Sequence, residues 1–126
     1  VAYRAEEDCR SSHGLHLAGD VANRAPVIVE DMVTSGQSVL DACDALLEAG
    51  CLPSVRIACT HGVLAGDAVE RLMERPEIVE VVITDTVPHD RAALGPKFTE
   101  LSVADVFGKA IQRANLNLSI SSLFER

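Results

Sequence analysis

Apolar positions along this chain fall into two rhythms. The first is the continuous run. "PVIVED" over 26–31, "SVRIACT" over 54–60 and "VEVVIT" over 79–84 are apolar at most positions, which predicts strands buried on both faces. The second is helical spacing. Val39, Cys43, Leu46 and Leu47 recur on one face of a segment that starts at Ser38 and is closed by Gly50 as a C-cap. Ala65, Val69, Leu72 and Met73 repeat the spacing, and that segment halts before Pro76. Val103, Val106, Phe107, Ala110, Ile111 and Ala114 trace a last helical face, with Ser102 and Asp105 placed as a capping box.

Between these segments the signals are weaker. "FTELS" (98–102) predicts a short strand, and 87–97, with Pro88, Gly95 and Pro96, a loop. Residues 1–18 are expected to form a mobile loop region. The polar "EED" and "SSHG" lie in 1–14, and "LHLAGDVANRAP" has room for a short strand and a turn. The tail "LSISSLFER" is partly apolar and suited to docking. Strand and helix thus alternate, so the fold class is α/β, a parallel sheet flanked by helices. Ligands in such sheets bind beyond the carboxyl ends of the strands. Glu30-Asp31, Thr60-His61-Gly62 and Thr84-Asp85-Thr86 all gather there.

The length, 126 residues, fits one domain, and 48% apolar content is enough for a core. With three Phe, one Tyr and no Trp, that core rests on aliphatic side chains. A net charge of −8 argues against nucleic acid, whose phosphates need basic partners. It leaves room for a phosphorylated metabolite, which local backbone amides and Mg²⁺ can hold. Cys9, Cys43, Cys51 and Cys59 show no C-x-x-C spacing and suit a reducing, cytosolic setting. No apolar run approaches membrane-spanning length. The chain opens on Val1 and "VAY" has strand character. Either the terminus is processed or this is a piece of a longer chain, and the second is the expectation.

The chemistry concentrates in "VIVEDMVTSGQS", residues 27–38. "TSGQS" joins a strand to a helix, so its amides and the first free amides of the helix can cup a phosphate dianion. Thr34, Ser35 and Ser38 add hydroxyls, and Gly36 lets the backbone curl close to a ligand. Glu30 and Asp31 would repel a phosphate. They suit the neighbouring hydroxyls of a sugar, or Mg²⁺ held through water. Together they describe a clamp for a pentose phosphate. The blander alternative is a small polar loop with acids placed near a helix N-terminus for electrostatic reasons. The spacing is not that of a P-loop.

The same stretch resembles the signature of type I phosphoribosyltransferases, and more closely the ribose-5-phosphate loop of the ribose-phosphate pyrophosphokinase (phosphoribosyl pyrophosphate synthetase) family. "GDV" (19–21), "ALLEAG" (45–50), "ACTHGVLAGDAVERL" (58–72), "VVITDTVP" (81–88), "LSVADVFGKAI" (101–111) and "SISSLF" (119–124) resemble family segments in family order. The resemblance implies a type I phosphoribosyltransferase fold and the C-terminal domain of a two-domain enzyme. It further implies that the β,γ-pyrophosphoryl group of ATP passes to the C1 hydroxyl of ribose 5-phosphate, with Mg²⁺, leaving AMP. By the same resemblance Glu30 and Asp31 hold the ribose hydroxyls, and Thr34, Ser35, Gly36, Gln37 and Ser38 hold the 5-phosphate. No residue is assigned as a direct metal ligand. The resemblance also makes Arg4 the expected catalytic cation of the first loop, with Tyr3 where the family carries Lys. It implies that Ser119 and Ser121 belong to a regulatory phosphate site between subunits, anchored by Phe124, and so a homo-oligomer. Two further departures are Glu30 for the usual Asp and Gln37 for a usual Gly.

Two other functions compete with this one. A non-catalytic, synthetase-like binding module would share the same clamp, and a small phosphoribosyltransferase would need a hood over a nucleobase, which the sequence lacks. A hydrolase triad built on His61 and Asp85 lacks the G-x-S-x-G elbow. His61 is expected at the pocket rim or as a cap of its own loop. His13, His16 and His89 are expected to face solvent, and Glu6-Glu7-Asp8 to be a solvated loop.

Overall fold

The structure, a computed structural model, describes residues 2–4, 15–17 and 19–123. Its centre is a four-stranded parallel sheet of β3 (Val27–Val33), β4 (Val55–Gly62), β5 (Ile78–Thr84) and β6 (Phe98–Leu101), in that spatial order. Two short strands precede it. β1 (Ala2–Arg4) and β2 (Leu15–Leu17) pair antiparallel, so both ends of the expected mobile loop are strands. The loop itself, with Glu6-Glu7-Asp8, Cys9 and His13, lies outside the described residues, as do Phe124 and the side chains of Tyr3, Arg4 and His16.

Four helices complete the chain: α1 (Gln37–Glu48), α2 (Ala68–Glu74), α3 (Arg91–Leu94) and α4 (Ala104–Asn115). Because strand order follows chain order, each crossover steps the same way, and right-handed crossovers then place α1 and α2 on one face of the sheet. That face is the core. Val39, Leu40, Cys43 and Leu46 of α1 and Ala68 and Leu72 of α2 close over Ile28, Ile57, Cys59, Val81 and Ile83. Helix α1 ends as its sequence predicts. Gly50 takes φ +85°, Cys51 N donates to Leu46 O and Gly50 N to Leu47 O, which pairs the last carbonyls in a Schellman turn. Lys97 Nζ does the same for α2 by donating to Met73 O and Arg75 O.

The other face departs from expectation. Continuous apolar runs predict strands covered on both sides, yet Val27 is 57% and Val29 77% exposed. The register lines up Val29, Ala58, Val82 and Thr99 in one row across this second face, which is open among the described residues. Helix α4 likewise buries none of its residues, and Phe107 and Ile111 of its apolar stripe are exposed. The capping box also fails. The helix starts one residue later than Ser102 requires; Ser102 Oγ accepts from Ala104 N at 3.3 Å, while Val103 N donates to Asp85 Oδ1 across the chain. Inside the expected 87–97 loop sits α3, capped by Asp90, whose carboxylate accepts from Ala92 N.

Candidate functional site

β3 runs two residues past the predicted end of its strand, to Val33, so Glu30 and Asp31 do not close it. Successive side chains of a strand leave on opposite faces. Glu30, opposite Cys59, is half-buried on the covered side, and Asp31 is exposed. Alternation does not persist to the end of the strand, where Met32 is exposed and Val33 buried.

The loop that follows is held from below. Val33 O accepts from Val63 N and Leu64 N, and Thr34 O accepts from Ala65 N, so the segment after β4 braces the strand end. Gly36 is buried, has φ +75° and serves as N-cap of α1. A Cβ built there would meet Leu72 at 3.7 Å, so the turn rests on α2. Gln37 N donates to Ser35 Oγ at 3.4 Å, and Leu40 N to Gly36 O. The amides of Gly36, Ser38 and Val39 have no acceptor among the described residues. Thr34, Ser35, Gln37 and Ser38 are exposed. Free amides at the positive end of a helix, flanked by hydroxyls, are the chemistry of an anion cup. The structure thus brings residues 34–38 together as one exposed turn, four positions beyond the first carboxylate.

Sequence inspection missed the cation behind this turn. Arg71 of α2 donates from Nη1 to Ser35 O at 3.1 Å and from Nη2 to Gln37 Oε1 at 2.5 Å, while Gln37 Nε2 donates to Asp41 Oδ1 at 2.6 Å. "VERL" carries no mark that would single it out. A second polar network crosses the ends of β4 and β5. Thr84 Oγ1 and Thr86 Oγ1 both donate to Thr60 O, and His61 Nδ1 lies 2.9 Å from Thr86 Oγ1. His61, Asp85, Thr86, Val103, Ala104 and Phe107 line a cleft of about 470 Å³. His61 lines this cleft, which does not include the 34–38 turn. His61 engages Thr86 and Asp85 engages Val103, so neither forms a triad with a serine. His89 does not face solvent freely. It is half-buried, with Nε2 2.6 Å from Gly62 O.

Hydrogen bonds from the Ser102 hydroxyl, then from the Val103 amide, hold the Asp85 carboxyl below the usual aspartate range. Burial pushes the Cys43, Cys51 and Cys59 thiols up, which makes them inert. No group of three or more His, Cys, Asp or Glu among the described residues is arranged to hold a metal ion. Arg4 lies on β1 opposite Leu15. Ser119 and Ser121 are exposed and sit beyond the far end of α4. Its 12 residues span about 18 Å from the anchored start near Asp85. Ser119 O accepts from Arg113 Nε at 2.6 Å.

A family model described as the phosphoribosyl synthetase-associated domain matches residues 6–125. The chain is 36% identical over 125 residues to ribose-phosphate pyrophosphokinase A of Dictyostelium discoideum, covering 98% of this chain and 39% of that protein. It is 39% identical over 110 residues to the ribose-phosphate pyrophosphokinase of Caldanaerobacter subterraneus, covering 87% and 34%. The crystal structure of phosphoribosylpyrophosphate synthetase from Mycobacterium smegmatis matches with a TM-score of 0.76 at 32% identity, over 85% of this chain and 35% of that one. The chain therefore spans between a third and two fifths of the length of these relatives. The parallel sheet, its order and the matched segments agree with one another: the chain belongs to the ribose-phosphate pyrophosphokinase family, as a phosphoribosyl synthetase-associated domain.

Proposed function

We propose that this chain is the ribose-5-phosphate-binding, C-terminal domain of a ribose-phosphate pyrophosphokinase that acts in the cytosol as a homo-oligomer. The supporting observation is the exposed 34–38 turn, with unpartnered amides at the start of α1, directly after a strand that carries Glu30 and Asp31. The 5-phosphate of the sugar rests on those amides and on the Thr34, Ser35 and Ser38 hydroxyls. A ribose lying beside the end of β3 offers its two neighbouring hydroxyls to the carboxylates of Glu30 and Asp31. Such a reaction depends on alignment and charge neutralisation, not on a covalent intermediate.

ATP is the pyrophosphoryl donor in this account. Mg²⁺ arrives on its phosphates and offsets their charge. An ion carried by a triphosphate needs no dedicated protein cage, which suits exposed single carboxylates such as Asp31. Arg4 is the cation from the first loop, and Ser119 and Ser121 accept a regulatory phosphate with help from another subunit. Because the chain spans at most 39% of the pyrophosphokinases it resembles, turnover by this chain alone is expected to be absent or feeble.

Calorimetric titration with ribose 5-phosphate and Mg²⁺ tests the proposal on the parent chain, Asp31→Asn and Glu30→Gln. Each substitution removes a charged acceptor, so each is expected to weaken binding by roughly 10- to 100-fold. Binding of ATP alone, indifferent to both substitutions, would point to another site.

A further inference from the structure

We infer that Arg71 is the residue that sets the phosphate turn, by fixing the direction of the Gly36 amide and by supplying an uncompensated positive charge behind it. The inference rests on the proposed phosphate cup and adds a residue on a different helix to it. Arg71 Nη1 donates to Ser35 O at 3.1 Å. The peptide between Ser35 and Gly36 is planar and trans, so its carbonyl and its N–H point in opposite directions. Holding the carbonyl toward α2 aims the Gly36 N–H away from α2, and that amide has no acceptor among the described residues. The second arm, Nη2, holds Gln37 Oε1, and Gln37 Nε2 is in turn tied to Asp41. One planar fork therefore fixes both sides of Gly36, whose φ of +75° a glycine adopts without steric cost.

The charge matters as well as the geometry. Both arms are bonded to neutral acceptors, a peptide carbonyl and a side-chain amide. Arg71 forms no ion pair among the described residues, in contrast to Arg56, Arg75 and Arg91. In a chain of net charge −8, its positive charge stands free to favour a dianion in front of the turn. Leu72, the next residue, supplies the apolar seat under Gly36. Helix α2 is thus the back wall of the cup. Gln37, which departs from the family's usual Gly, becomes the link that couples Arg71 to α1.

The test titrates inorganic phosphate and ribose 5-phosphate into the parent chain, Arg71→Lys, Arg71→Gln and Gln37→Ala, with a thermal melt of each. A lysine keeps the charge but cannot bond both acceptors as a fork does. Arg71→Lys is expected to lose about tenfold in affinity for both ligands, and Arg71→Gln more, with a shallower salt dependence. The backbone 15N shift of Gly36 is expected to move in both, while the melt stays cooperative. Gln37→Ala is expected to show a smaller loss. Parent binding that Arg71→Lys and Arg71→Gln leave unchanged overturns the role of Arg71 and spares the cup. Absence of ribose 5-phosphate binding in the parent overturns both. A lowered melting temperature with unchanged affinity and an unmoved Gly36 shift shows Arg71 to be structural only.

Discussion

Gly36 and Gly108 illustrate how one residue type serves opposite ends. Gly36 has φ +75° at the head of α1, and a Cβ there would meet Leu72 at an ordinary 3.7 Å. The cost of Gly36→Ala is therefore conformational, about 1–2 kcal/mol, and it falls on the turn proposed to cup the phosphate. Gly108 lies inside α4 with open space around it, so Gly108→Ala is expected to stabilise the chain by about 0.5–1 kcal/mol. Chemical denaturation of the two variants should give shifts of opposite sign. Equal signs would mean the turn does not hold its left-handed geometry in solution. The tight turn at Gly36 was legible in the sequence, because a Gly between a strand and a helix suits a positive φ. Arg71 was not, since what marks it is a partner 36 positions away that only folding supplies.

At the level of the elements, one carboxylate anchors the start of α4. Asp85 ends the β5 turn and accepts from Val103 N at 2.9 Å, with Ser102 beside it. Its acidity is raised in the folded chain, so its contribution is present above the ordinary aspartate range and lost as pH falls through the folded value. Glu77, held down by its hydrogen bond from Arg75, adds to the same acid-side loss. Melting temperature should fall more steeply for the parent than for Asp85→Asn as pH drops below about 4. Parallel curves would remove Asp85 from the account. The sequence placed the helices and strands well because periodicity reflects burial. It misjudged the start of α4 because Ser102 and Asp105 have capping-box spacing, while the partner that forms lies on β5's turn, 18 positions back. It also ended β3 two residues short of Val33, because no count of residue types reveals where a strand stops.

Across the whole molecule, the sheet has a finished side and an open one. Ile57, Ile78, Ile83, Leu72 and Val39 are nearly or fully excluded from solvent under α1 and α2. The opposite row through Val29 and Ala58 has no cover among the described residues, although the sequence pattern is that of strands buried twice over. The relatives are more than twice as long as this chain, so a pattern written for a larger assembly is a consistent account of those apolar positions. Fold class was thus readable from the chain alone, while the covering of the second face was not. The 34–38 turn does not depend on that face, because it is braced by α2 and the segment after β4.

The measurement closest to the central claim is a crystal structure of this chain grown with ribose 5-phosphate. The account predicts the phosphate within about 3 Å of the Gly36, Ser38 and Val39 amides, with the sugar hydroxyls turned toward Glu30 and Asp31. A sugar phosphate seated in the cleft between His61 and Phe107, with the turn vacant, would contradict it.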